Sequence, residues 1–263
     1  MDGNKMKKRI LLTNDDGVYS DGLRAMWKQL KKSGDVAVVV PETEKSAVAH
    51  AINLFAPLKI RHIRVEKGLE AYVVNGTPVD CVKIAVNSIL KSKPDILVSG
   101  INPCSNLGMD ILYSGTVSAA AEGAILGIPS ISASIDGCKN FNFDSAASVV
   151  IEIIKKLDRS NLPRDTILNV NVPDMRLSEI KGIKLTYQSE ARFEEEYEER
   201  KDPRGSSYFW LKGIFRIVDG EKGSDVETVK NGYVSITPLH LNLTDRRFLA
   251  SLKKKKFEKF RLK

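Results

Sequence analysis

Short apolar runs alternate along the first two thirds of the chain with segments whose apolar residues recur every three or four positions. "RILLTN" (9–14) reads as a buried strand that stops on polar residues. "DGLRAMWKQLKKSG" follows, with Leu23, Met26, Trp27 and Leu30 at helical spacing and Gly34 as its C-terminal stop. "DVAVVVP" is a second strand, closed by Pro41. A strand–helix–strand opening predicts a parallel sheet joined by right-handed crossovers.

The pattern continues downstream. "AINLFAPLKIRHIRVEKGLEAYVVNGTPVD" reads as a hairpin or extended excursion, and "DCVKIAVNSILKSK" as a helix with Val82, Ala85, Val86 and Ile89 on one face. "PDILVSG" and "PSISASI" read as strands, "SAAAEGAILG" as a small-residue helix between them, and "FDSAASVVIEIIKKLDRS" as an amphipathic helix. "TILNVNVP" is expected to be the last strand of this core. After about Lys181 the texture changes to "EEEYEERKDPRG", then Tyr208, Phe209, Trp210 and Phe215, then "GYVSITPLHLNLTD" and "TDRRFLASLKKKKF". The expected architecture is α/β: a mostly parallel sheet flanked by helices over residues 1–181, and a C-terminal β-rich arm with a terminal helix over 182–263, suited to oligomer contacts.

Composition narrows this only a little. With 263 residues and 42% hydrophobic content, the chain has enough apolar material for one large domain with an appendage. The net charge of +8 admits an anionic ligand without naming it. Much of the excess lies at the ends, at Lys5, Lys7, Lys8 and Arg9 and in "KKKKFEKFRLK", where a solvated face explains it as well as binding does. The tail offers only Phe257 and Phe260 for base stacking, so a nucleic-acid partner is not expected. Cys81, Cys104 and Cys138 include no CxxC pair, which argues against a disulfide scaffold or cysteine zinc site and for a reducing cytoplasm. No apolar stretch reaches membrane-spanning length.

Three polar, glycine-containing loops leave strands at the carboxyl ends, where open α/β sheets collect ligands. The first is "TNDDG". Asp15 and Asp16 would repel each other, and the pair suits a hard divalent cation; a helix cap is the plainer role. The second is "PETEKSAVAHA". Here Ser46 could offer a hydroxyl to a metal or phosphate, Lys45 could face an anion and His50 could act as an acid, although a surface loop explains the segment equally. The third is "SGINPCSNLGMDILYSGTVSAAAEG", in which "YSGTV" opens a helix whose free N–H groups and dipole favour phosphate; an N-cap is the alternative. GxGxxG, GxxxxGK[ST] and GxSxG are all missing, which disfavours dinucleotide cofactors, P-loop chemistry and a serine nucleophile elbow. His50, His62 and His240 show no metal-ligand spacing.

The stretches "ILLTNDDGVYSDGL", "NGTPVDCV", "SGIN…NLGMDILYSGTVSAAAEGA" and "GYVSITPL…LTD" resemble the SurE family, from about Lys8 to Asp245. The resemblance implies a Rossmann-like core with an arm exchanged between subunits in dimers or tetramers. It implies a metal-dependent phosphatase for nucleoside 5′- and 3′-monophosphates, with short polyphosphate as a further substrate of some members. Carried onto this sequence, the metal ligands are Asp15, Asp16, Ser46 and Asn102, and phosphate contacts fall on Asn106, Ser114, Gly115 and Thr116. Asn14 and Gly17 are assigned to the same substrate site. The expected cofactor is one divalent ion per subunit, Mg²⁺ or Mn²⁺, with Ca²⁺ as an alternative. Asp15 or Asp16 as a covalent nucleophile ranks below metal binding, and His50 and His240 are the candidate general acids. The chain departs from the family at Ala47 and Cys104, where glycine is common, and at Met109. A nucleotide-binding or phosphorelay-type domain without turnover is the alternative.

Overall fold

The computed structural model describes residues 8–137, 141–157, 162–216 and 222–255. Cys138, Lys5, Lys7, Phe257 and Phe260 lie outside them. The first strand, β1 (Lys8–Thr13), is followed by α1 (Asp21–Leu30), β2 (Gly34–Pro41), the hairpin β3 (Ile60–Glu66) and β4 (Leu69–Val74), and α2 (Pro78–Ile84). Then come β5 (Ile96–Asn102), α3 (Gly115–Ile125), β6 (Ser130–Asp136), α4 (Phe143–Lys156) and β7 (Thr166–Pro173). The last third holds β8 (Ile183–Leu185), a long hairpin of β9 (Arg192–Lys201) and β10 (Ser207–Arg216), α5 (Asp225–Lys230), β11 (Val234–His240) and α6 (Arg246–Lys254).

Nine strands form one sheet in the order β3-β4-β2-β1-β5-β6-β7-β11-β8. β4, β2, β1, β5, β6 and β7 run parallel, while β3 and β11 are antiparallel to their neighbours β4 and β7. From β1 the chain turns to β2 on one side and later to β5 on the other, which opens a crevice at the carboxyl ends of these strands. Strand alternation splits the core. Leu12, Val38 and Val98 pack with α1 and α4 on one face, and Leu11, Val39 and Leu97 with α2 and α3 on the other.

Local chemistry explains the element ends. Ser20 caps α1 by accepting from the Leu23 N–H at 3.2 Å. Thr77 and Asp80 form a reciprocal capping box at the start of α2, with Pro78 in its first turn. The expected helix from Asp80 to Lys93 ends sooner than its periodicity suggests: beyond Ile84 it widens into a π-type turn, and Leu90 donates to the Ala85 carbonyl at 2.9 Å.

Two expectations are corrected. Gly34 does not stop α1, which is capped at Lys31; it opens β2, where a Cβ would lie 2.1 Å from the Lys8 carbonyl oxygen of β1. β7 is not the last strand of the sheet, because β11 pairs with it from Thr166 to Asn171 and β8 pairs with β11. Strands from both sides of position 181 therefore share one sheet. The β9–β10 hairpin is a separate two-stranded ribbon. α6, capped by Asp245, buries none of its residues.

Candidate active site

The carboxyl ends of β1, β2 and β5 border a cavity of about 620 Å³. Asp15 and Asp16 reach it from the turn after β1, Glu44 and Ser46 from the loop after β2, and Asn102 from the last position of β5. The β5–β6 register slips between Ser99 and Asn102, so that Asn102 pairs with Ser134. Such a bulge re-aims a side chain at a strand end. Asn106, Met109, Asp110, Tyr113 and Ser114 line the next part of the wall.

Asp15 is 6% exposed, and its surroundings are specific. The Thr116 N–H donates to Oδ2 at 3.1 Å and the Thr116 hydroxyl donates to Oδ1. The carboxylate thus sits at the N-terminus of α3, where the helix dipole favours an anion. Gly115 permits this approach, since a Cβ there would lie 2.9 Å from the Cβ of Asp15. Burial pushes the Asp15 carboxyl above its ordinary value, against the opposing pull of Thr116. Asp16 has less help. Burial first, then the charges of Asp15 and Glu44, raise it to about 7. Its Oδ2 is buried with no hydrogen-bond partner among the described residues.

These observations describe a place short of positive charge. Ser46 donates its hydroxyl to Glu44 at 2.5 Å, which leaves its oxygen lone pairs available. The Asn102 amide N–H donates to the Cys104 carbonyl at 2.6 Å, so its carbonyl oxygen remains an acceptor. Two carboxylates, a hydroxyl and an amide oxygen on one wall form an oxygen set that fits a hard divalent ion. Among the described residues no three Asp, Glu, His or Cys side chains converge tightly enough to hold an ion by themselves, so an ion here would also need Ser46 and Asn102.

The other expected residues divide. Asn106 and Ser114 line the cavity. Ser114 also caps α3 by accepting from the Val117 N–H at 3.1 Å. Thr116 directs both its N–H and its hydroxyl to Asp15. Asn14 and Gly17 close the β1 turn on each other: the Asn14 amide donates to the Gly17 carbonyl at 2.9 Å and accepts from its N–H at 3.2 Å, with Gly17 at φ +90°. Neither lines the cavity. His50 is paired with Glu122 at 2.9 Å, His62 stacks on Tyr72, and His240 accepts from the Asn242 N–H. None of the three histidines lines the cavity, and neither does the Lys45 side chain.

A polar ladder holds Asn106. Its N–H donates to Asn171, its side-chain amide to Ser134, and its carbonyl accepts from Asn169 and Asn171, all at 2.8–3.0 Å. Ser132 and Ser134 on β6, Asn169 and Asn171 on β7, and Ser235 and Thr237 on β11 share this buried face. The alternation in "SISAS", "NVNV" and "VSIT" is the sequence signal for it.

Glu44, Arg192, Phe193 and Glu195 are cavity residues that the sequence reading left out. Arg192 is the only lysine or arginine lining the cavity among the described residues. It comes from the arm, whose base is pinned to the site: Met109 donates to the Ala191 carbonyl at 2.8 Å, and Asp225 accepts from the N–H groups of Gly108 and Ser189.

A family model described as Survival protein SurE matches residues 10–195. The 5′-nucleotidase SurE of Thermosipho melanesiensis is 46% identical over 246 residues, spanning 94% of this chain and 96% of that relative. The 5′-nucleotidase SurE of Caldanaerobacter subterraneus subsp. tengcongensis is 44% identical, over 91% of this chain and 94% of its own length. The crystal structure of Sure protein from Aquifex aeolicus superposes with a TM-score of 0.82 at 43% identity, covering 94% of this chain and 99% of that one.

Proposed function

The chain belongs to the SurE family, and we propose that it hydrolyses nucleoside 5′- and 3′-monophosphates to nucleoside and phosphate with the help of one divalent ion per subunit. The observation that carries this reading is the buried, unpartnered Oδ2 of Asp16, beside Asp15 in a cavity that Ser46 and Asn102 also line. Those four residues would hold Mg²⁺ or Mn²⁺. The bound ion supplies Lewis-acid polarisation of a phosphoryl oxygen and a more acidic water.

The chain's own groups do the rest. Thr116 and the start of α3 hold Asp15 in place as a charged ligand. Arg192, as the cationic wall residue, neutralises the phosphoryl oxygens, and Asn106 and Ser114 fix their orientation. Asp110, whose carboxyl is raised by burial, is the cavity acid suited to protonate the departing nucleoside oxygen. A phosphorelay role is disfavoured, because relatives matched over nearly the whole chain are named 5′-nucleotidases.

We assign the β9–β10 hairpin and α6 to contacts with further copies of the chain, as a dimer or tetramer. Tyr197, Phe209, Trp210 and Phe248 are all largely exposed, which supports this. The three cysteines without a CxxC pair suit a reducing cytoplasm. Among the described residues, no helix is long and apolar enough to cross a membrane.

The deciding assay is phosphate release from a panel of nucleoside monophosphates with Mg²⁺, with Mn²⁺ and with chelator. Turnover should need the metal, and Asp15→Asn should reduce it by about a hundredfold or more. Full activity in chelator, or in Asp15→Asn, would sink the proposal.

A further inference from the structure

The loop 42–59 brings Ser46 to the cavity through an unusual backbone. Ala47 and Ala49 adopt φ values of 53° and 51°, in the left-handed region that residues bearing a Cβ enter at a cost. Something must hold the loop there. Three contacts lie close to Ser46: the Lys45 N–H donates to the Asp15 carbonyl at 2.8 Å, the Ala49 N–H donates to the Tyr113 carbonyl at 3.0 Å, and the His50 ring nitrogen Nε2 meets Glu122 Oε2 at 2.9 Å. More distant ties follow, from Asn53 to Asp80 and from Thr77 to the Ala51 carbonyl.

Glu122 is well placed as an anchor. Its side chain is 5% exposed, and Lys83 on α2 donates to its other oxygen at 3.1 Å. The hydrogen bond from His50, with Lys83 behind it, holds its carboxyl below the ordinary value despite burial. It is therefore a charged, doubly held group on a buried helix. That helix, α3, also carries Thr116, which grips Asp15. One rigid element thus touches both sides of the site: Asp15 through Thr116, and the Ser46 loop through Glu122 and His50.

We infer that His50 is a positioning residue: Lys45 ties one side of Ser46 to the Asp15 turn, and His50 fixes the other side by tying the loop to Glu122 on α3. The inference rests on the proposed metal reading and adds a residue that contacts neither ion nor substrate. His50 is partly exposed, and Asn53, Thr77 and Ala49 still tether the loop without it, so its removal should leave the fold intact.

The test uses the full chain stripped of metal, with Mn²⁺ alone as the probe and free Mn²⁺ followed by electron paramagnetic resonance. Wild type, Asp15→Asn, His50→Ala, His50→Gln and Glu122→Gln are compared, each with a melting curve. His50→Ala and Glu122→Gln should bind Mn²⁺ about tenfold or more weakly at unchanged stoichiometry, the range set by groups that orient a ligand. His50→Gln, whose amide can still donate to Glu122, should come back to within about threefold of wild type. A role limited to stability would shift the melting curve of His50→Ala and leave its Mn²⁺ affinity unchanged, which overturns the inference. Equal weakening in His50→Gln and His50→Ala overturns it as well. Mn²⁺ binding that Asp15→Asn leaves intact would overturn the metal reading itself, and this inference with it.

Discussion

Thr116 gives both its backbone N–H and its hydroxyl to Asp15, so the carboxylate at the end of β1 is set by the first turn of α3. Removing the hydroxyl while keeping the shape should loosen that grip. Thr116→Val is expected to lower divalent-metal affinity and kcat/KM by about 10- to 100-fold, while Thr116→Ser stays near wild type. Calorimetric metal titration beside steady-state kinetics checks this.

Asp16 predicts a pH dependence of the metal-free protein. Its folded-state value of about 7 lies above the ordinary 3.8, so the folded chain holds a proton that the unfolded chain has released. Stability from this group is present below about pH 4 and is lost as pH rises toward about 7. Asp16→Asn, without metal, should therefore be more stable than wild type at pH 8 by about 2–4 kcal/mol, and no more stable at pH 4. Urea unfolding in chelator at the two pH values decides it, and equal stability at pH 8 would contradict the assigned burial.

On the proposed reading Arg192, which lines the cavity, bears on substrate and not on the ion. Arg192→Ala should reduce kcat/KM by about 10- to 100-fold, as expected for a lost hydrogen bond to a charged group, with metal affinity unchanged. Arg192→Lys should recover part of the loss. Phosphate as a competitive inhibitor should weaken in parallel.

Ala47 tests the backbone. A glycine at φ 53° escapes a cost of roughly 1 kcal/mol, partly offset by the greater freedom of the unfolded chain. The melting temperature of Ala47→Gly should hold or rise by about 2 °C. A clear fall would argue that the left-handed turn is not adopted in solution.

The parts of the site legible in the sequence sit where strand patterns end. "RILLTN", "DVAVVVP" and "PDILVSG" each close on polar residues, and the parallel sheet brings those ends together around Asp15, Asp16, Ser46 and Asn102. The rest depended on long-range packing. Arg192 reaches the cavity because Asp225 grips Gly108, 117 residues away in the chain, which no local pattern encodes. Thr116 looked like a phosphate donor because a helix start is agnostic about its anion, and here one of the protein's own carboxylates takes the place. His50, flanked by alanines, gave no hint of Glu122. The polar face of β6, β7 and β11 is written in plain alternation, which reading these segments simply as strands passed over.

The strand order also sets a sequence of assembly. β8 is made before the β9–β10 hairpin, yet its neighbour in the sheet is β11, which is made after it. During synthesis β8 has no partner until the chain has built the whole hairpin and come back, and β7 keeps an open edge for the same interval. The β9–β10 hairpin is thus an excursion held at both ends, not a tail. Cutting at 181 would strip two strands from the sheet, whereas excising 192–216 and rejoining the ends would leave all nine. The sheet is finished only after the hairpin exists, so newly made chains carry their exposed aromatic ribbon before the enzyme that it serves is complete.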